Sequence, residues 1–463
     1  MALSLPKKLI RVVMVLMGAL ALLAACLWQL PHWIPVRHLS EVVPPETIAL
    51  VGVTVYNPGE IPHAGQTVLI KNSRIVAVQH ADLPVPAEFA QVQAAGQWLM
   101  PGLIDLHVHV FDETDLTLLL AHGVTTARNM MGKPFHLALR NAISSGQIAG
   151  PRLFTAGPTL NNSGAPLHKV VKDPSTARAA VQQIKAQGYD FIKIYDGLTA
   201  DVLEAIVTEA RHQQLRVAGH PPTTVDLQQS ATLLDSVEHA EELWQHGVRL
   251  QDSAHLAALA EKFKTHQTML VPTLQIVQQL SEVCGAGEPA VTQRDSVLLN
   301  PVVAYLGRQS VAGWADGNEG CEQFAKQVDE MAQLTKQLLQ AGVLLGLGSD
   351  SGPHLSLAGA ATLREVHALI NIGISADDVL KIATSNAAQM LGQSQHLGRI
   401  DSGYLADALL LQGDPRSDIA VIDSPVLVIA NGRVLDANRR NNILADSQNH
   451  AGWLLTIGRL LAQ

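Results

Sequence analysis

Two histidines, His107 and His109, stand two residues apart in the stretch PGLIDLHVHV, with Asp105 two residues before them. In a strand, alternate side chains share a face, so both imidazoles point one way while Leu106, Val108 and Val110 point the other. Leu103, Ile104 and Val108 give the run a buried character on both faces, as in a parallel sheet. Burying two imidazoles requires partners, because an unpaired buried polar group costs about 1–3 kcal/mol. Hydrogen bonds within the core would meet that need, and so would a shared metal ion. The decapeptide alone leaves both open. Asp105 is equally open: it could accept from a metal-bound imidazole or cap a local turn.

The elements around these residues narrow the choice. Strand-like runs recur as GLIDLHVHV, GVTTARNM, RLFTAG, DFIKIYDG, LRVAGH, LDSVEHA, TMLVPTL and VLLGLGSD. Helical patterns such as DPSTARAAVQQIKAQG and TADVLEAIVTEARHQQ lie between them. Strand–helix alternation implies a parallel sheet, and eight such strands over this length predict a (β/α)8 TIM barrel. A doubly wound open sheet is the alternative, but no Gly-rich phosphate loop follows the first strand. Short strands and turns at both ends of the chain (IALVGVTVYN and QTVLIKNSRIVAVQ; ADALLLQGD and PVLVIANGRVLD) predict a small β-sandwich domain built from N- and C-terminal segments. The expected division is an anchor or signal over 1–30, a Pro-rich tether over 31–45, sandwich over 46–100, barrel over 101–394, sandwich again over 395–437 and a helical tail over 438–463. A Gly- and Pro-bearing insertion at about 281–321, after strand seven, is expected to lie at the barrel end where active sites form and to act as a lid.

A barrel converges its strand ends on one point. His107 and His109 end strand one, Lys193 lies in strand four, His220 ends strand five, His239 lies in strand six and Asp350 ends strand eight. Imidazoles and carboxylates of this kind suit zinc and similar divalent ions. Tyr195, His354, Arg128 and Asn129 sit just beyond strand ends, where substrate contacts arise; Arg128 could meet a substrate carboxylate or form a structural ion pair. His122, His136, His212, His246, His255 and His266 fall in helices or loops and read as surface histidines.

In their order, PGLIDLHVH, FIKIY, SVEHA and GSDSG resemble the successive strand signatures of the amidohydrolase superfamily of metal-dependent hydrolases, over about residues 46–437. The likeness is greatest to the prolidase-like branch, which carries a lysine on strand four. The resemblance implies that His107, His109 and Asp350 hold the more buried of two divalent metal ions, that His220 and His239 hold the second, and that Lys193, carboxylated by carbon dioxide, bridges them. A free lysine is a cation with a reference pKa near 10.4, whereas its carbamate is an anionic oxygen ligand. Two such cations lower the pKa of water toward 7, and Asp350 would move the proton to the leaving amine. The implied reaction is cleavage of an amide bond in a small molecule such as a dipeptide or N-acyl amino acid. Strand five ends GHPPTT, with Thr223 where nucleobase deaminases of the superfamily place a glutamate. The same prolines stand where prolidase-like enzymes often carry a tyrosine, so proline-dipeptide specificity does not follow. A cyclic amide or lactam hydrolase, similar to imidazolonepropionase, is the alternative, and a non-catalytic barrel scaffold is the third reading.

Composition sets the remaining bounds. Of the 463 residues 47% are apolar and only 4% aromatic, so the core must be mostly aliphatic. A net charge of −9 without a basic block argues against nucleic acid as partner. Lys7, Lys8 and Arg11 precede VVMVLMGALALLAAC, the layout of an export signal. LAAC resembles a bacterial lipobox that would lipidate Cys26, while the run Leu9–Leu30 is also long enough to span a bilayer uncut. Either reading gives an exported, membrane-anchored protein, and a homo-oligomer is possible. Setting Cys26 aside leaves Cys284 and Cys321, which bracket the insertion and are expected to form a disulfide in an oxidising compartment.

Overall fold

The computed structural model describes residues 14–15, 17–19, 21–22, 44–164, 167–286, 298–315 and 320–462. Five strands come first: β1 (Ile48–Val55), β2 (His63–Lys71), β3 (Arg74–His80), β4 (Ala90–Gln93) and β5 (Trp98–Pro101). Nine follow: β6 (Leu103–Val108), β7 (Val124–Asn129), β8 (Arg152–Thr155), β9 (Leu160–Asn161), β10 (Lys169–Val170), β11 (Phe191–Ile194), β12 (Arg216–Gly219), β13 (Ser236–Glu238) and β14 (Met269–Val271). The last three are β15 (Ala408–Leu411), β16 (Leu427–Ala430) and β17 (Arg433–Leu435).

The two ends of the chain share one sheet, ordered β17-β16-β15-β5-β1-β2-β3 with β4 beside β1. The strands make a single continuous sheet rather than two assigned facing sheets. Its seam is β5 against β15, antiparallel, Pro101 opposite Ala408 and Trp98 opposite Leu411. Leu50, Val53, Ile70, Leu99, Leu410 and Ile429 pack its apolar cluster, which follows from the alternating β-branched and leucine pattern of these segments.

The central strands are all parallel and alternate with helices, an α/β fold of TIM-barrel-like course. Their ladder has two interruptions, so they form a three-stranded sheet β6-β7-β8 and a six-stranded sheet β10-β9-β11-β12-β13-β14. A lone parallel bridge, Ala156 to Phe191, joins the first to the second. The second interruption falls where an eighth strand is expected, in VLLGLGSD. That segment is not a regular strand. Gly346 donates its N–H to the Leu270 carbonyl, and Leu106 donates to the Leu347 carbonyl, so it still lies between β14 and β6. Its glycines explain the irregularity: a Cβ at Gly346 would strike Leu106, and one at Gly348 would strike Val271 and His107. Only glycine admits that approach, and glycine weakens a strand.

The helical runs read from sequence form Pro174–Ala186, capped by Asp173, and Ala200–His212. The insertion is more regular than its glycines and prolines suggest. Helix Leu274–Ala286 runs into it, and Pro301 occupies the first turn of a second helix, Pro301–Ala315, a position where proline costs no hydrogen bond. Cys284 and Cys321 are disulfide-bonded, with Cα atoms 5.6 Å apart. The tail forms helices Ala437–Asp446 and Trp453–Leu461. Cys26 and nearly all of the expected signal or anchor lie outside the described residues, among which no helix is long and apolar enough to cross a membrane.

Candidate metal centre

The parallel strands bring their C-terminal ends together, and the six ligand candidates meet there. His107 is buried on β6 and His109 follows that strand; Lys193 is buried within β11; His220 and His239 come directly after β12 and β13; Asp350 closes the glycine-rich segment. His107, His109 and Asp350 present ligand atoms all within 4.8 Å of one another. Asp350 Oδ1 lies 3.1 Å from His109 Nε2 and 3.5 Å from His107 Nε2. The His239 ring stands 4.6 Å from that of His107 and 4.5 Å from that of His220, centroid to centroid. His239 and Asp350 both adopt left-handed backbone, φ 71° and 50°, uncommon for residues with a side chain and concentrated at functional sites.

Three imidazoles are oriented by partners on their far nitrogens. Glu238 Oε2 lies 2.8 Å from His107 Nδ1, Glu242 Oε1 lies 2.6 Å from His220 Nδ1, and the Thr273 hydroxyl lies 2.8 Å from His239 Nδ1. Each leaves Nε2 for a ligand, the arrangement that fixes metal-binding histidines. Burial, reinforced by the charge of Lys193, lowers the His107 pKa to about 4. Burial likewise holds His220 and His239 well below the usual range, so all three are neutral at pH 7, as metal ligands must be. Burial alone would raise the Asp350 carboxyl, but His107, His109 and His239 outweigh it and hold it ionised.

Lys193 is the anomaly. Its Nζ is buried with no hydrogen-bond partner among the described residues, and burial lowers its pKa to about 8. Asp350 Oδ1 also lacks a hydrogen-bond partner. A buried cation and a buried carboxylate oxygen left so are costly. The donor set around them, four imidazoles and a carboxylate, fits divalent metal ions.

The cavity over this cluster measures about 390 Å³, within the range of small-molecule sites. Phe111, Met130, Ile276 and Leu280 give it apolar walls, and Tyr195, His168, Glu241 and His354 supply polar groups. Tyr195 stacks on His220 at 4.1 Å between centroids, and His168 lies 4.8 Å from Tyr195. Ser310 of the insertion lies 2.8 Å from His354 Nδ1.

The structure decides four assignments. Arg128 does not line the cavity. It is buried, with Nε bonded to the Leu106 carbonyl, one Nη to Ser236 and the other to Glu238 at 2.7 Å. Its charge stabilises ionised Glu238 and so acts on His107 from behind; burial opposes that ionisation, but Arg128 and His107 overcome it. Asn129 is also turned inward, accepting from Val110 N. Asp105 does not touch an imidazole: it accepts from His107 N, Ser349 N and the Thr362 hydroxyl, tying β6 to the Asp350 segment. His136, read as a surface residue, is wholly buried because its helix turns it inward: Lys133 N donates to Nδ1 and Nε2 donates to the Val110 carbonyl. Glu238 and Glu242 were not legible as partners. A continuing strand would turn Glu238 away from the site when His239 faces it; the left-handed His239 ends that alternation and lets both face inward.

The comparisons with known proteins define the class as a hydrolase acting on carbon–nitrogen bonds, and the site holds a cluster able to bind a metal ion. A model of the amidohydrolase family matches residues 98–435, and the chain belongs to that family. It is 26% identical in sequence to a solved structure described as a putative prolidase from Bifidobacterium longum, which superposes with a TM-score of 0.69 over 87% of this chain and 100% of that one. The ochratoxinase of Aspergillus niger is 22% identical over 82% of this chain and 84% of its own length. The imidazolonepropionase of Rubrobacter xylanophilus is 37% identical, over 16% of this chain and 18% of its own.

Proposed function

We propose that this chain is a dinuclear amidohydrolase that cleaves the amide bond of a small substrate such as a dipeptide or N-acyl amino acid. The observation that carries the reading is Lys193: a buried amine without a hydrogen-bond partner among the described residues, beside Asp350 and four imidazoles. With its pKa lowered, its neutral form is available to attack carbon dioxide, lose a proton and become the anionic carbamate. In this reading His107, His109 and Asp350 would hold one ion and His220 and His239 the other, with carboxylated Lys193 as a further oxygen ligand; zinc is the expected metal. Two divalent cations supply an ionised water at neutral pH and polarise the scissile carbonyl.

The rest is done by side chains. Asp350 accepts the proton as water oxygen bonds to the carbonyl carbon, then delivers it to the leaving nitrogen as the C–N bond breaks. Glu238, Glu242 and Thr273 keep the imidazoles aimed. Tyr195 and His354 contact the substrate beside the scissile group, while the apolar walls take its acyl or side-chain portion. The local likeness to an imidazolonepropionase supports a cyclic amide as the second substrate class. We further read the central strands as one (β/α)8 barrel over 101–394 with the terminal sheet as its satellite sandwich domain. The basic-then-apolar N-terminus, together with the disulfide, supports an exported protein held at a membrane.

Metal analysis of purified protein, followed by hydrolysis of dipeptide, N-acyl amino acid and cyclic amide panels, tests the function. Two equivalents of a divalent metal are expected, and Asp350→Asn should lower kcat by about 10²–10⁴-fold while retaining the circular dichroism of the parent. Protein that binds no metal, or an Asn variant at parental rate, would overturn the reading.

A further inference from the structure

The C-terminal helix Trp453–Leu461 is laid onto the body with its faces sorted. Thr456, Arg459 and Leu460 are buried beneath it, while Trp453, Leu454, Ile457 and Leu461 are exposed on the outer side. Arg459 is the only charged residue in the helix, and it is turned inward. Its guanidinium makes two bonds to Glu113, at 2.8 and 3.0 Å, and lies 5.3 Å from the ring centroid of Phe135. The outer face is therefore apolar without interruption. It continues onto the insertion helix Pro301–Ala315, where Tyr305 and Leu306 are exposed and Tyr305 meets Trp453 edge to face at 5.6 Å. Six large apolar or aromatic side chains on two adjoining helices exceed the scattered exposure of ordinary surfaces.

We propose that this face rests on a lipid bilayer, with the helix lying in the plane of the interface and Trp453 and Tyr305 at headgroup level. An apolar face bearing tryptophan, tyrosine and leucine is the chemistry of interfacial helices. The rest of the chain favours lipid over a second copy. This argument rests on reading the apolar run Leu9–Leu30 as a membrane anchor. The tether from that run leads into Glu46, which is ion-paired at 3.1 Å to Arg439 of helix Ala437–Asp446, the element that leads into the C-terminal helix. Fifteen tether residues reach at most about 50 Å, so the anchor would hold the body near the bilayer with this side of it closest to the exit point. The insertion helix also carries Ser310, bonded to His354 of the cavity, so the lipid-facing surface adjoins the substrate site and suits amides with apolar portions.

The test uses the full chain with phosphatidylcholine vesicles, with and without brominated acyl chains. In a Trp28→Phe, Trp33→Phe background, which clears the anchor and tether of tryptophan, emission should be quenched by the brominated lipid, and the quenched component should vanish on adding Trp453→Phe. It should also vanish in the doubly substituted Leu454→Asp, Ile457→Asp chain, whose altered residues are exposed and whose turnover of a soluble amide should match the parent. Flotation reports the anchor separately. A chain that floats but shows no quenching at Trp453 overturns the proposal and leaves the anchor standing. Quenching in a chain that does not float by itself upholds the face and removes the anchor. Trp453 emission that depends on protein concentration but not on lipid overturns the proposal in favour of contact between copies.

Discussion

Two buried cations separate the structural part of this molecule from its chemistry. Arg459 and Lys193 are both removed from solvent. Arg459 lies against Glu113 with two hydrogen bonds, and the pair pins the C-terminal helix to the start of helix Glu113–Ala121. Lys193 has charged neighbours but no hydrogen bond among the described residues. The first arrangement answers most of the demand that burial makes on a charge: it pairs the charge with a carboxylate and leaves only the guanidinium Nε without a hydrogen bond among the described residues. The second leaves that demand open, at a point where four imidazoles and a carboxylate also converge. A fold that merely needed filling would have placed leucine there; the uncompensated atom marks where a ligand completes the site.

The comparison predicts opposite consequences of removing the two charges. Lys193→Met should cost more activity than loss of a metal-orienting partner, hence more than about 100-fold, with loss of bound metal. The metal-free protein should be no less stable than the parent, because an uncompensated buried cation has gone. Activity, metal content and thermal midpoints in chelator check this, and marked destabilisation of the metal-free variant would erase the distinction. Glu113→Ala should do the reverse. It strands Arg459 in the core and should destabilise the fold by about 3–5 kcal/mol, read from denaturant midpoints, while activity per folded molecule stays within a few-fold.

A neutral buried group gives an intermediate case. The ring of His136 uses one nitrogen as acceptor and one as donor, and burial lowers its pKa to about 3. The unfolded chain, with histidine near 6.5, binds the extra proton first. Stability contributed by the neutral ring is therefore full above about pH 6.5 and falls as pH drops toward 3, by a few kcal/mol across that window. Urea midpoints against pH should show this slope, and His136→Asn should flatten it. The smallest effect is expected at Glu242→Ala, which frees His220 Nδ1 without removing a ligand. Metal affinity should fall about 10–100-fold, measured by competition with a chelating dye, with unchanged secondary structure.

What sequence made legible was periodicity and convergence. The i, i+2 spacing of His107 and His109 places the pair on one face of a strand, and strand–helix alternation implies that the strand ends gather. The six ligand candidates are gathered as expected. What remained hidden depends on departures from regular geometry. The left-handed backbone of His239 lets Glu238 face inward beside it. The close approach at Gly346 and Gly348 replaces the eighth strand with an irregular segment. Arg128 reads equally as a substrate contact or a structural ion pair until Glu238, Ser236 and the Leu106 carbonyl are found around it. Each is set by contacts between residues far apart in sequence, which local patterns do not encode.

The seam between β5 and β15 also constrains the order in which the molecule is made. β6, which carries His107, begins two residues after β5 ends, so the first histidine strand hangs from a sheet whose other half comes from the far end of the chain. During synthesis β5 must wait unpaired at that edge until β15 emerges, while the intervening strands and helices can condense locally. Pairings of such high sequence separation form late, because loop closure must be met before the contact is made. The metal site is thus framed by the last part of the chain to fold, and a truncated or nascent product, however well packed its central strands, would lack the sheet that steadies its first ligands.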